Sequence, residues 1–419
     1  MYLSIDDSDS KEKGCTTFLA LSLLDFFYKK NLVLASFPSL VRLNPNIPEK
    51  TRGNAAIGLH LQKKEKASFP TELIGKKNFE HYLYKNTAPF LPSRKLFREL
   101  TLFCLKKTSS PEIGFILFKK KKRSKREYLR GVWSYFSKEK ALKKIKQDKN
   151  VLFHYGQQGL IGAYLSSFWP EKKSSFELLS YRLKKNIGTK RSFDLQNLRV
   201  LSKEKGLFKF FDEEYNQQLI FPNTPCPVLF GIQFFTWSSK ILPFSKEIKT
   251  EPFSSFLSFK TNQGSKDQEQ TEKKRFKKYS TYVIECFFLR ILKILQGGHV
   301  LFEVSFRKRK LKLICFEKTK KLRSVLMLLL PGDFISLCFS YLTKKAFNLE
   351  WLCLQKLVLK KELNRPRCCK KNMTSKGKNA PLRCKKCRTC KSKEYFLKKR
   401  PLLENSFFYP PLRARRHLS

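Results

Sequence analysis

The chain has 419 residues, enough for two to four domains, and its 87 Lys+Arg against 34 Asp+Glu give a formal net charge of +53. That charge exceeds the needs of solubility and points to a polyanionic partner, nucleic acid ahead of an anionic membrane surface, although a lysine-rich composition also follows from an AT-rich genome. Its 12 cysteines, spread over so long a chain, exclude a small disulfide scaffold.

The first block, 1–148, begins with the short apolar run YLSI, after which Asp6, Asp7 and Asp9 crowd together. Such a density of negative charge is best tolerated when it holds a hard cation, and Mg²⁺ is commonly held by one or two carboxylates plus substrate phosphates. Gly14, Cys15, Thr16 and Thr17 lead into FLALSLLDFFYKK, whose Leu19, Leu23, Phe26 and Phe27 recur at helical spacing. Thr16 and Thr17 are therefore expected at a helix N-terminus, where free backbone amides favour an anion. The same stretch would serve equally as an Asx-turn and N-cap. Further on, SLVRL and AAIGLHL read as strands joined by a stiff loop containing Asn44, Pro45 and Pro48. Arg42, Lys50 and Arg52 add fixed positive charge. Carboxylates for a metal, cations, and a glycine for close approach are what phosphoryl chemistry requires. The run KKKKRSKR from Lys119 to Arg126 reads as a solvated loop or a non-specific RNA contact.

The second block, 149–273, mixes short alternating apolar runs with one or two helical stretches and suggests a compact α+β sheet domain. The third, 274–362, carries five or so strands with Gly-Gly and Pro-Gly-Asp punctuation, which fits a small closed or nearly closed barrel of the oligonucleotide-binding kind. Its greasiest run, Val325 to Leu342, is cut by Pro331, Gly332 and Asp333, so it reads as two strands around a turn and not as a membrane span. In the fourth block, 363–395, Cys384 and Cys387 form a Cys-x-x-Cys, Cys390 repeats the spacing, and Cys368 and Cys369 lie upstream across a polar stretch. Two cysteine groups across a hairpin resemble a zinc ribbon. Because adjacent cysteines replace one Cys-x-x-Cys knuckle, the fourth ligand is either of them or Cys390, and unpaired thiols on a basic loop are the alternative. The tail, 396–419, is rich in Pro and Arg and is not assigned. The acidic start carries no recognisable signal peptide, and a cytoplasmic protein with no membrane partner is expected.

With these blocks laid out, the chain resembles the archaeal tRNA(Ile) 2-agmatinylcytidine synthetases from its first strand to the cysteine cluster. The resemblance rests on IDDSDS (Ile5 to Ser10) with Cys15-Thr16-Thr17, and on NPNIPEKTRGN (Asn44 to Asn54), in which Glu49 stands for the family's aromatic residue. Also in order are GLIGA (Gly159 to Ala163), ELLSYR (Glu177 to Arg182), GTKR (Gly188 to Arg191), PVLFGI (Pro227 to Ile232), TNQG (Thr261 to Gly264), GGHV (Gly297 to Val300), FEKTKKLR (Phe316 to Arg323) and PGD (Pro331 to Asp333).

The resemblance implies a multidomain α/β and α+β protein: an unusual kinase domain, a ferredoxin-like domain, an OB-fold β-barrel and a C-terminal zinc ribbon. It implies a ligase that uses ATP and Mg²⁺ to phosphorylate the wobble cytidine of the CAU-anticodon isoleucine tRNA at O2, then conjugates agmatine at C2 and leaves AMP and phosphate. The modified tRNA would decode AUA. On this reading Asp6, Asp7 and Asp9 hold Mg²⁺, Thr16 matches the family threonine that becomes phosphorylated, and Lys50 and Arg52 stabilise the transferring phosphoryl group. Ser10, Thr17, Thr51 and Gly53 would line the nucleotide site, and a structural Zn²⁺ would draw on Cys368, Cys369, Cys384, Cys387 and Cys390. No obligate protein partner is expected. The other reading is a non-catalytic RNA-binding protein with a decayed kinase domain. The chain departs from the family pattern at Lys13, where a glycine is expected before CTT, and after TNQG at Ser265, where an acidic residue and a histidine usually follow.

Overall fold

The computed structural model describes residues 1–10, 14–49, 53–108, 110–271, 275–343, 345–377 and 379–416. Lys50, Thr51 and Arg52, and the departure at Lys13, lie outside the described residues. The chain divides into two compact units, one formed by Met1–Tyr282, Ser340–Lys344 and Pro410–Ser419, the other by Val283–Phe339 and Lys345–Tyr409.

The first unit is built on strand β1 (Tyr2–Asp6), every residue of which is buried. Successive side chains of a strand point to opposite faces, and here both faces are covered. Leu3 and Ile5 join the core beneath helix α1 (Thr16–Tyr28), while Tyr2 joins the core on the other side. The following elements are β2 (Leu32–Leu34), β3 (Ser39–Arg42), β4 (Ala55–Lys63), β5 (Phe69–Lys76), β6 (Glu80–Lys85), α2 (Arg94–Lys107) and β7 (Gly114–Phe118). After them come α3 (Lys125–Trp133), α4 (Lys138–Gln147), β8 (Val151–Gly156) and α5 (Gly159–Ser166). Ser93, Ser124 and Ser137 accept backbone N–H bonds at the starts of α2, α3 and α4, so each helix opens on a side-chain cap. Helix α5 buries Leu160, Ala163, Tyr164 and Leu165 in the Tyr2 core.

The chain continues through β9 (Ser175–Arg182), α6 (Leu195–Leu201), β10 (Leu207–Phe208), β11 (Phe211–Asp212), β12 (Gln217–Gln218), β13 (Val228–Phe234), α7 (Ile241–Lys246), β14 (Phe253–Thr261) and β15 (Glu269–Thr271). Strand β14 runs antiparallel to β9 along one edge and meets β5 (antiparallel) and β3 (parallel) along the other. This joins both halves of the unit into one mixed twelve-stranded sheet, ordered β10-β13-β9-β14-β5-β6-β2-β4-β1-β7-β8, with β3 bridging β14 and β4.

In the second unit the long strand β16 (Thr281–Ile294) leads into β17 (Val300–Phe306), β18 (Arg309–Cys315), α8 (Lys321–Leu326), β19 (Phe334–Ser340) and β20 (Phe347–Lys356). The strand path β16-β17-β18-β20-β19 is closed by a further pairing of β16 with β19. The run expected to form two strands around Pro331-Gly332 forms only the second. Its first half ends a short helix, because Leu322, Val325 and Leu326 are buried at helical spacing. Asp333 of that turn is fully buried, accepts the N–H groups of Leu330 at 2.8 Å and Val358 at 2.9 Å, and is paired with Arg400. The cysteine region comprises β21 (Lys360–Leu363) with β26 (Tyr395–Lys398), β22 (Arg367–Cys368) with β23 (Lys371–Asn372), and β24 (Leu382–Arg383) with β25 (Cys390–Lys391), around a core that, among the described residues, consists of Met373, Leu382 and Cys384 with Leu363 and Cys368 packed against it. Among the described residues no helix is long and apolar enough to cross a membrane.

Candidate functional site

Strand β1 delivers Asp6 to its C-terminal end, where Asp7 takes a left-handed backbone (φ 52°) and donates its N–H to Asp6 Oδ1 at 2.8 Å. Helix α5 presses against this turn. A Cβ on Gly159 would sit 2.4 Å from the Gly114 nitrogen and 2.6 Å from the Asp6 carbonyl, and one on Gly162 would sit 1.7 Å from Asp6 Oδ2. Burial, then the neighbouring charges of Asp7 and Asp9, push the Asp6 carboxyl well above the usual carboxylate range, partly offset by the Asp7 N–H.

Past this turn, Ser8 Oγ donates to Thr16 Oγ1 at 3.1 Å, and Thr16 Oγ1 donates to Asp9 Oδ1 at 3.4 Å. Thr108 donates its hydroxyl to the Ser8 carbonyl at 2.9 Å and holds the loop from behind. The N-cap of α1 is Cys15, which makes no side-chain cap bond. The carboxylates are therefore not caps, and the N-terminal, positive end of a 13-residue helix lies beside them.

Asp6, Asp7, Asp9, Thr16 and Thr17 line a cleft of about 570 Å³, the size of a small-molecule site. Arg42 lines it from β3, Gly53 and Asn54 from the residues just before β4, and Glu177, Gln233 and the segment 219–226 from the second half of the unit. Ser10 is not among the lining residues. Glu49 and Gly53, the described residues that flank Lys50, Thr51 and Arg52, border two openings against Asp6 and Asp7, Gly53 this cleft and Glu49 a smaller one.

Arg42 proves more central than its place in a strand suggested. Its Nε is buried without a hydrogen-bond partner among the described residues, and burial lowers its pKa against the opposing pull of Glu177. Asn262 fixes the Arg42 backbone from both sides, accepting its N–H at 2.7 Å and donating to its carbonyl at 2.8 Å. The neighbouring Gln263 donates to Glu177, whose carboxyl is pushed up by burial. The TNQG segment thus braces both Arg42, through Asn262, and Glu177, through Gln263. Asn44, Asn46 and Asn54 fasten the adjoining loop: Asn54 Nδ2 donates to the Asn44 carbonyl at 2.7 Å and Asn46 Nδ2 to Thr281 Oγ1 at 3.0 Å.

Three residues carry more than their sequence surroundings announced. Gly162 lies within GLIGA and Glu177 opens ELLSYR, but neither motif says that the first meets Asp6 and the second lines the cleft; Lys209, outside the cleft lining, was not singled out at all. Lys209 sits at φ 53°, donates to the Arg416 carbonyl, and has its amine pulled down to about 7 by burial and by the charges of Arg415 and Arg42.

In the second unit, Sγ atoms of Cys368, Cys369, Cys384 and Cys387 lie within 4.8 Å of one another. Cys390 stays outside, its Sγ 3.6 Å from the Arg388 carbonyl. Adjacent side chains of an extended strand diverge, but left-handed backbone at Cys369 (φ 48°) and Lys370 (φ 65°) lets both thiols reach one point. Bonds from the Thr389 side chain and backbone, then from Cys368 and Cys384, lower the Cys387 thiol to about 6. Three thiols gathered around one thiolate, four sulfur donors in all, fit a tetrahedral zinc. Among the described residues no comparable cluster forms at Asp6, Asp7 and Asp9. One or two carboxylates with substrate phosphates suffice for Mg²⁺, and a desolvated Asp6 beside Asp7 is a donor set that a divalent cation would relieve.

Residues 2–157 match the family described as the TiaS TCKD domain and residues 157–268 the TiaS FLD domain. The isoleucine-tRNA 2-agmatinylcytidine synthetase TiaS of Methanocaldococcus jannaschii is 30% identical over 100% of this chain and 97% of its own, and that of Archaeoglobus fulgidus 28% identical over 100% and 96%. A crystal structure of TiaS in complex with its isoleucine tRNA and ATP superposes with a TM-score of 0.82 at 26% identity, covering 100% of this chain and 95% of that one.

Proposed function

We infer the function from the family: the chain belongs to the TiaS isoleucine-tRNA 2-agmatinylcytidine synthetases. It is a ligase that consumes ATP and joins agmatine to the wobble cytidine of an isoleucine tRNA.

We propose that the reaction runs in the cleft between β1, α1 and β9. The cytidine O2 takes one phosphoryl group of ATP, the agmatine amine attacks C2, and the C–O bond breaks with that phosphate as leaving group; the second phosphoryl group passes to Thr16 and is released by water, so ATP ends as AMP and two phosphates. The isoleucine tRNA is the one with a CAU anticodon, and the altered base edge lets it read AUA. Asp6 and Asp7, with Asp9, would hold Mg²⁺, which when bound would neutralise charge on the nucleotide phosphates. Thr16 is the proposed phosphoryl acceptor on the protein; its hydroxyl already donates to Asp9, where a base for that hydroxyl belongs. The helix N-terminus at Cys15–Thr17 suits an anion. Lys50 and Arg52, with Thr51 and Gly53, are assigned to the transferring phosphoryl group. Ser10, away from the cleft walls, is kept only as a neighbour of the site. A zinc on Cys368, Cys369, Cys384 and Cys387 would stabilise a module with too small a core to fold on burial alone.

The same reading names residues 1–148 a kinase-like domain, 149–273 ferredoxin-like, 274–362 an OB-fold and 363–395 a zinc ribbon, with 396–419 a basic tail. The family match divides the first two at residue 157, and β8 (Val151–Gly156) pairs with β7. We place the enzyme in the cytoplasm, with its tRNA and ATP.

The observation that carries the proposal is the convergence of Asp6, Asp7, Asp9, Thr16 and Arg42 on one cleft. A binder that had lost its kinase would have no use for three carboxylates facing a polyanion. Mass analysis of a nuclease digest, after incubation of protein, isoleucine tRNA transcript, ATP and agmatine, tests it. Agmatinylcytidine is expected; intact RNA binding with no modified nucleoside would favour the non-catalytic reading.

A further inference from the structure

Behind the segment 221–226, away from the carboxylates, lies a second opening of about 560 Å³ that shares Pro222 and Thr224 with the catalytic cleft as a common wall. Its aromatic side is Phe193, which stacks on Phe221 with ring centroids 4.6 Å apart and planes at 26°, yet remains 37% exposed. Phe221 is held in place by Gln218, which accepts its N–H at 2.8 Å and donates to its carbonyl at 3.4 Å. The common wall is equally fixed. The Arg191 guanidinium donates to the carbonyls of Pro222 at 2.6 Å, Thr224 at 3.0 Å, Cys226 at 3.1 Å and Val228 at 2.7 Å.

Arg191 is thereby consumed as a structural clamp, and the cation left at the lip is its neighbour Lys190, exposed after Gly188. A rigid aromatic platform, a lysine at the rim and the exposed amide of Asn223 match an unstacked base with its phosphate. A cytidine drawn from its loop into the cleft stays covalently attached to its neighbours, and the second opening, sharing Pro222 and Thr224 with the cleft, is the adjoining place where one of them could be held.

We propose that this opening binds a second unstacked nucleobase of the RNA substrate, the neighbour of the modified cytidine, with its ring on Phe193 and its phosphate at Lys190. The inference rests on the function assigned above. It makes the segment 221–226 a divider between the reacting nucleotide and the one that sets its position.

The test is a binding cycle on the full chain, using the isoleucine tRNA transcript and two versions with an abasic nucleotide on either side of the target cytidine. Phe193→Ala should weaken binding of the intact transcript about tenfold, the usual scale of one lost base stack. One abasic transcript should bind the wild-type protein equally weakly and be indifferent to Phe193→Ala, while Phe193→Tyr should restore the intact affinity. Lys190→Ala should lower the slope of log affinity against log salt by about one unit. ATP binding should be unchanged in all variants. Wild-type tRNA affinity for Phe193→Ala, additive losses with both abasic transcripts, or a parallel loss of ATP affinity, which would mark a free-nucleotide site or a folding defect, would each overturn the proposal. Base–Phe193 coupling without any modified nucleoside would sustain the opening and sink the assigned reaction; product without coupling would do the reverse.

Discussion

Asp6 fills the space that a Cβ on Gly162 would need: a side chain of any size on the glycine would begin 1.7 Å from the carboxylate oxygen Oδ2. The helix that carries Gly162 is packed on β1 by Leu160, Ala163 and Leu165, so it has no room to retreat. Gly162→Ala is therefore expected to swing the Asp6 carboxylate away from the cleft while the fold survives. Displacement of a positioning group by about 1 Å costs on the order of a hundredfold in rate. Agmatinylcytidine formation should fall by at least that factor with tRNA affinity unchanged; an activity within threefold of wild type would show that Asp6 Oδ2 has no part in the reaction.

Arg42 gives a second prediction. Its guanidinium faces the cleft with Nε unpartnered among the described residues, braced by Asn262 along its backbone and balanced by Glu177. An anion in the cleft would supply the missing acceptor. Arg42→Gln should lower kcat/KM for ATP by about a hundredfold, the scale of losing one donor to developing charge, and Arg42→Lys should recover only part of it because a point charge cannot reproduce the planar fork. Steady-state rates across ATP concentrations, beside tRNA binding, separate this from a structural role. Equal loss of tRNA affinity in both variants would count against it.

These two residues show what was readable from the chain and what was not. IDDSDS and CTT announced themselves because clustered acids before a helix are chemically unusual, and the structure gathers Asp6, Asp7, Asp9, Thr16 and Thr17 on one cleft. The strands SLVRL and AAIGLHL were equally legible, as β3 and β4, from their alternating apolar residues. Gly162 was not, because its meaning depends on a carboxylate 156 positions earlier, a pairing that only the packing of α5 on β1 creates. Glu177 and Gln263 stood in the quoted motifs ELLSYR and TNQG, but their meeting was illegible for the same reason. The first half of Val325 to Leu342 was misjudged as a strand because a short apolar run has no period long enough to distinguish it from a buried helical turn.

Lys209 supplies a prediction about pH. Its amine is lowered from 10.5 to about 7 in the folded chain. Below that value it is charged in both folded and unfolded states, and the folded state bears the full penalty of burying it beside Arg42 and Arg415. Between about 7 and the unfolded value the folded protein has shed a proton that the unfolded chain retains, so stability rises with pH through that window. Lys209→Met removes the titration. The variant should melt higher than wild type at pH 6, and the gap should shrink steadily by pH 9.5, as followed by thermal denaturation in matched buffers. A gap independent of pH would mean that the amine is not what the burial penalises.

The cysteine module yields the sharpest separation between residues that look alike in sequence. Cys387 and Cys390 sit three apart in the same basic stretch, both exposed, yet Cys387 lies with Cys368, Cys369 and Cys384 inside a 4.8 Å cluster and Cys390 does not. A tetrahedral zinc needs four donors, and the cluster holds that number only because left-handed backbone at Cys369 bends two adjacent thiols to the same point. Metal analysis of purified protein should find one zinc per chain in wild type and in Cys390→Ser, and much less in Cys369→Ser and Cys387→Ser. Because a structural zinc stands in for a hydrophobic core of three residues, chelation should make the region around Met373 and Leu382 sensitive to proteolysis while the first unit stays resistant. Retention of zinc by Cys369→Ser together with its loss from Cys390→Ser would transfer the fourth ligand to Cys390 and refute the adjacent-thiol site.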